Sequence, residues 1–88
     1  MAVEDIPTKI GAEVRILPEP EVVNAKRQLV AVRPNEWRIE GVQGKHVELK
    51  NSISGHVILL STSYIREFHG NQMDIRFKIV LKGKRTVF

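Results

Sequence analysis

From Asn35 onward apolar side chains fall on alternate positions, a period of two that belongs to strands lying half buried against a core. Trp37-Arg38-Ile39-Glu40-Gly41-Val42 reads as a first strand, and Gln43-Gly44 supplies a two-residue turn into His46-Val47-Glu48-Leu49-Lys50-Asn51. Val47 and Leu49 are expected to face inward. Ser52-Ile53-Ser54-Gly55 is a turn cluster, and His56-Val57-Ile58-Leu59-Leu60 is apolar on both faces, which predicts a central strand. After Ser61-Thr62-Ser63, the stretch from Tyr64 to Phe68 reads as a short turn entering a brief strand, closed by His69-Gly70-Asn71. The final segment alternates most regularly, with Ile75, Phe77, Ile79 and Leu81 on one face and Asp74, Arg76, Lys78, Val80 and Lys82 on the other. Gly83 offers a turn into Arg85-Thr86-Val87-Phe88, so a C-terminal hairpin is expected.

The first 34 residues are patterned differently. Pro7, Pro18, Pro20 and Pro34 all lie there, and no proline follows. Proline removes a ladder donor, so a sheet avoids it. The expected organisation is an N-terminal extension, 1–34, followed by a β-domain, 35–88. Within the extension a candidate strand covers 12–17. A candidate helix covers 20–32, where Val22, Ala25, Lys26, Leu29 and Val30 fit one face and Pro20 and Glu21 suit its start. Valine and asparagine are weak helix formers, however, and Gln28 to Val32 alternates like a strand, so both assignments stay open.

Composition narrows the class. With 88 residues, 42% hydrophobic and 27% charged, the chain suits one folded domain and has no room for two separate cores. It contains no cysteine, so no disulfide or thiolate site can support the fold. The first residues lack the charged and apolar regions of a signal peptide, and no apolar run approaches the ~20 residues needed to span a bilayer. A cytoplasmic protein with no membrane partner is expected.

The succession Ile39-Glu40-Gly41-Val42, Val47-Glu48-Leu49, Gly55-His56-Val57-Ile58-Leu59-Leu60, Tyr64-Ile65-Arg66-Glu67-Phe68 resembles small barrels of the SH3-like and Sm-like kind, over about residues 36–88. The resemblance implies a mainly β fold: a five- to six-stranded antiparallel SH3-like barrel whose N-terminal extension has room for one short helix. An Sm-like relationship would imply ring assembly and RNA contacts from loops; an SH3-like one implies a groove for a peptide or a charged face for nucleic acid.

Charge gives the functional lead. Acids and bases balance up to Pro34, and the whole net charge of +4 lies beyond it. Arg76, Lys78, Lys82, Lys84 and Arg85 have no acid among them, and clustered cations gain by displacing condensed counterions from a polyanion. These five are the candidate nucleic-acid-binding residues, toward DNA or RNA; the bland alternative is an edge strand kept soluble by lysine. Trp37 and Tyr64 are candidate base-stacking residues, although aromatics in so short a chain more often fill the core. A second reading makes the N-terminal segment a contact for another protein or another copy, through Val22, Val23, Leu29 and Val30.

Catalysis finds no support in the pattern. Ser54-Gly55-His56 lacks the strand-turn-helix context of a nucleophile elbow, the acids form no pair, and the glycines are scattered. His46 and His56 are expected at opposite ends of a hairpin, too far apart to share a metal. The expectation is a binding module that is not an enzyme and needs no cofactor or metal.

Overall fold

Nine strands run through residues 10–30 and 36–88, the part of the chain that this computed structural model describes. They are β1 (Glu13–Leu17), β2 (Val22–Asn24), β3 (Trp37–Gln43), β4 (His46–Asn51), β5 (Val57–Ser61), β6 (Ile65–His69), β7 (Gln72–Ile75), β8 (Ile79–Leu81) and β9 (Arg85–Val87). Between β5 and β6 lies one turn of 3-10 helix, Thr62–Tyr64. A seven-stranded sheet has the order β6-β7-β1-β3-β4-β5-β9, and β2 pairs with β8 in a separate two-stranded sheet.

Alternation along each strand fills the space between these layers. Val14 and Ile16 of β1, Trp37 and Ile39 of β3, Val47 and Leu49 of β4, and Met73 and Ile75 of β7 are all buried, as are Ile79 and Leu81 of β8. Trp37 is 1% exposed, which removes it from any stacking role. Burying a side chain of this kind contributes roughly 1.5–3 kcal/mol, so these residues dominate the stability of the domain. Tight turns join β3 to β4 at Gly44 and Lys45, and β6 to β7 at Gly70 and Asn71. Gly44 (φ 58°) and Gly70 (φ 62°) take the left-handed conformation that such turns demand.

The expected SH3-like or Sm-like barrel does not form. The meander β3-β4-β5 is present, but the sheet remains open, with β6 and β9 as its two ends. Two parallel pairings account for this. β7 enters beside β1 in parallel, so β6 bonds to β7 and lies outside it; β9 enters beside β5 in parallel and extends the opposite end. The sheet grows outward at both ends instead of joining them. The arrangement is mixed and mostly antiparallel, with nine strands in place of five or six.

The candidate helix at 20–32 is replaced, over its described part, by β2 and a loop; residues 31 and 32 lie outside the described residues. Asn24 explains the outcome. Its Oδ1 accepts from the backbone N–H groups of Lys26 (2.9 Å) and Gln28 (3.0 Å), and its Nδ2 donates to Gln28 Oε1 (3.0 Å). An asparagine bonding forward to the backbone in this way draws the chain out of the helix. The chain turns back, and Val30 N–H donates to Val22 C=O at 2.9 Å.

The C-terminal hairpin is also absent. The alternation from Asp74 to Lys82 spans two strands in different sheets, with β7 ending at Ile75 and β8 starting at Ile79. β8 pairs with β2, and β9 pairs with β5. Among the described residues no helix is long and apolar enough to cross a membrane.

Candidate anion-binding site

The five C-terminal cations are all exposed, yet they share no strand. Arg76 and Lys78 lie in the connection between β7 and β8, Lys82 and Lys84 lie between β8 and β9, and Arg85 opens β9. Three already have partners. Lys78 Nζ pairs with Glu21 Oε1 at 2.5 Å, Arg85 Nη1 lies 3.8 Å from Glu48 Oε2, and Lys84 Nζ donates to Ser54 C=O at 3.1 Å.

Arg76 instead belongs to an open cleft of about 680 Å³, lined by Lys45, Ser61, Thr62, Ser63, Ile65, Arg66 and Arg76. The cleft is built by the backbone. The β3-β4 turn presents Lys45, whose C=O accepts from Thr62 N–H at 2.8 Å and so ties that turn to the 3-10 segment. Ser61 N–H donates to Phe88 C=O (3.1 Å), and Arg76 N–H donates to Tyr64 C=O (3.3 Å). Ser61 Oγ and Ser63 Oγ are 3.0 Å apart, and Ile65 is buried beneath them.

Arg66 follows the buried Ile65 and so points away from the core, at a position where β6 carries a bulge. Ile65 pairs with Ile75 and Glu67 with Asp74, so Arg66 is an extra residue on its strand. The irregularity lets Ile65 and Phe68, three apart, both face the core while Arg66 points outward. Lys45, Arg66 and Arg76 make no ion pair among the described residues, and no acid lines the cleft. Three cations and three hydroxyl-bearing residues thus line one cleft, the donor types that charge-assisted hydrogen bonds to an anion require. Only Arg76 stood out in the sequence. Lys45 and Arg66 are isolated cations there, one placed by the β3-β4 turn and the other by its position next to the buried Ile65.

An aromatic cluster adjoins the cleft. Tyr64, which follows Ser63, lies 4.4 Å from Phe77 between ring centroids, with the planes at 49°; Phe77 lies 4.9 Å from Phe88, edge to face. Tyr64 is 41% exposed, and the rings behind it are half buried.

The N-terminal candidates fall elsewhere. Val22 and Val23 are buried in β2, Val30 packs against the core, and Leu29 alone of the four is exposed, at 74%. Ser54 and His56 do meet, with Ser54 Oγ 2.8 Å from His56 Nδ1, and His56 N–H also donates to Ser54 Oγ at 3.3 Å. Asn51 Oδ1 accepts from Ile53 N–H and Ser54 N–H, so the group closes the β4-β5 turn. Burial, followed by the Lys84 charge, lowers the His56 pKa below the usual histidine value. No family model matches this chain, nor does any curated protein or solved structure.

Proposed function

We propose that the domain is a non-catalytic binding module for a phosphate-bearing polyanion, anchored at the cleft of Lys45, Arg66 and Arg76. One observation carries this reading: a single cleft gathers Lys45, Arg66 and Arg76 with no acid in its lining, and among the described residues none of the three forms an ion pair, whereas Arg15, Arg38, Lys78 and Arg85 do. An anion entering the cleft would meet these three charges together with the Thr62 hydroxyl and whichever of the Ser61 and Ser63 hydroxyls is not donating to the other. Nucleic acid, DNA or RNA, is the class that offers such phosphates in series, and a cytoplasmic location suits it. The contact stays near one anchor instead of running along a C-terminal strand, because Lys78, Lys84 and Arg85 are engaged within the domain.

The protein-contact reading has less to draw on, since Val22 and Val23 are spent on the core. Titration with labelled oligonucleotides at two salt concentrations tests the anion reading. Affinity is expected to fall steeply as salt rises, by roughly 0.7 in log K per log unit of salt for each phosphate engaged on a single strand. A salt-independent affinity, or no binding at low salt, rejects it.

A further inference from the structure

We infer that the ligand is a single-stranded nucleic acid, with a phosphate held at Arg66 and Arg76 and a neighbouring base stacked on Tyr64. This rests on the anion reading above and adds the base. The cleft and the Tyr64 ring share one segment of chain. Ser63 and Ile65 line the cleft on either side of Tyr64, and the Tyr64 carbonyl holds the backbone of Arg76. The ring does not itself line the cleft, but its two chain neighbours do, so a strand that leaves the two arginines along this segment has the ring as its next contact.

The ring is prepared as a platform. Phe77 packs against Tyr64 and Phe88 packs against Phe77, so the phenol is held in place by the fold while 41% of the residue remains exposed. Ordering a loose aromatic would cost side-chain entropy; here that cost is met in folding. The other exposed large apolar residues among those described, Ile10, Leu29, Val42, Ile53 and Val87, have no ring, and none is flanked on both sides by residues that line the cleft, as Tyr64 is by Ser63 and Ile65. A duplex hides its base faces in the stack, whereas a single strand can present one to an aromatic surface. A phosphorylated or acidic peptide would use the cations and leave the ring without a flat partner.

Fluorescence anisotropy with three labelled probes separates these cases: a 12-nucleotide thymidine strand, an abasic chain of the same length and charge, and a duplex. The base-bearing strand is expected to bind most tightly. Tyr64→Ala should weaken it roughly five- to hundredfold, leave the abasic chain unchanged, and bring the two probes together. Tyr64→Phe, which keeps a π face, should retain most of the preference. In the wild-type protein the Tyr64 ring resonances should move on adding the thymidine strand and stay in place with the abasic chain, a readout that needs no variant. Equal affinity for base-bearing and abasic chains, with unmoved ring resonances, overturns the stacking inference and leaves the anion reading standing. Tighter binding of the duplex, or a poly-glutamate peptide of equal charge binding as well as the strand, also overturns it. Failure of every polyanion to bind removes both.

Discussion

Arg76 and Arg85 lie nine positions apart in one cationic stretch, and the fold uses them in opposite ways. Arg85 leans toward Glu48 across β5, and Lys78 is clamped to Glu21 where β2 meets β8. These charges are part of how strands hold together. Arg76 forms no ion pair among the described residues and is joined by Lys45 from a turn and Arg66 from a bulge. Positive charge along a sequence thus says little about positive charge available to a ligand. What decides is which cations remain after the acids have chosen theirs.

The sharpest way to break this contrast is to remove cations from each set. Arg66→Ala together with Arg76→Ala should weaken oligonucleotide binding about tenfold or more, since hydrogen bonds to charged groups contribute roughly 1.5–3 kcal/mol each. Lys78→Ala together with Arg85→Ala removes as much formal charge and should change affinity less than about threefold, while exposed ion pairs of this kind contribute only ~0–1 kcal/mol to stability. Equal losses of affinity in the two double variants would show that net charge alone governs binding and would erase the distinction.

A smaller effect tests whether the cleft depends on the turn that presents Lys45. Gly44 takes a φ of 58°, and an added Cβ there would meet nothing within 4 Å. Gly44→Ala therefore isolates the cost of the left-handed backbone, about 1–2 kcal/mol, read as a lower urea midpoint. Affinity at the cleft should fall with it, because Lys45 moves with the turn. Undiminished stability would mean that the turn relaxes freely and that Lys45 is not held in place.

Some of this architecture is written locally in the sequence. The alternation of Val47 and Leu49, and of Ile79 and Leu81, marks which side of a strand faces the core, and those residues are buried. Alternation is silent about partners. Nothing between Ile75 and Ile79 signals that the chain leaves one sheet for another, since side chains there keep alternating between inside and outside. The parallel entry of β7 beside β1 and of β9 beside β5 joins segments far apart in the chain, and those pairings decide that the sheet stays open. Asn24 was visible as a poor helix residue, but its bonds to Lys26 and Gln28 appear only once the loop closes. The cleft was the least legible feature. Arg66 points outward simply as the neighbour of the buried Ile65, but nothing in its own stretch tells that Lys45 and Arg76 meet it there, and Lys45 owes its place to a bond between its carbonyl and Thr62.

The smallest expected effect separates a cation that serves a ligand from one that serves a turn. Lys84 bonds to Ser54 C=O beside His56, and burial together with this charge depresses the His56 pKa. The unfolded chain then binds the proton more readily than the folded one, so the stability contribution is complete above the unfolded value near 6.5. It declines as the pH drops below that value, until the folded histidine is protonated too. Wild-type protein should therefore lose more stability between pH 7.5 and 5.5 than His56→Asn, in which a side-chain amide can still meet Ser54. Because His46 and His69 are present in both proteins, the difference between the two urea midpoints isolates His56. Lys84→Met should reduce that difference only in part, since burial is the larger cause of the shift, and should leave oligonucleotide affinity at the Arg66 and Arg76 cleft unchanged. Identical pH dependence in wild type and His56→Asn would show that the turn accepts a charged imidazole without cost; a loss of affinity in Lys84→Met would move Lys84 from the structural set of cations to the binding set.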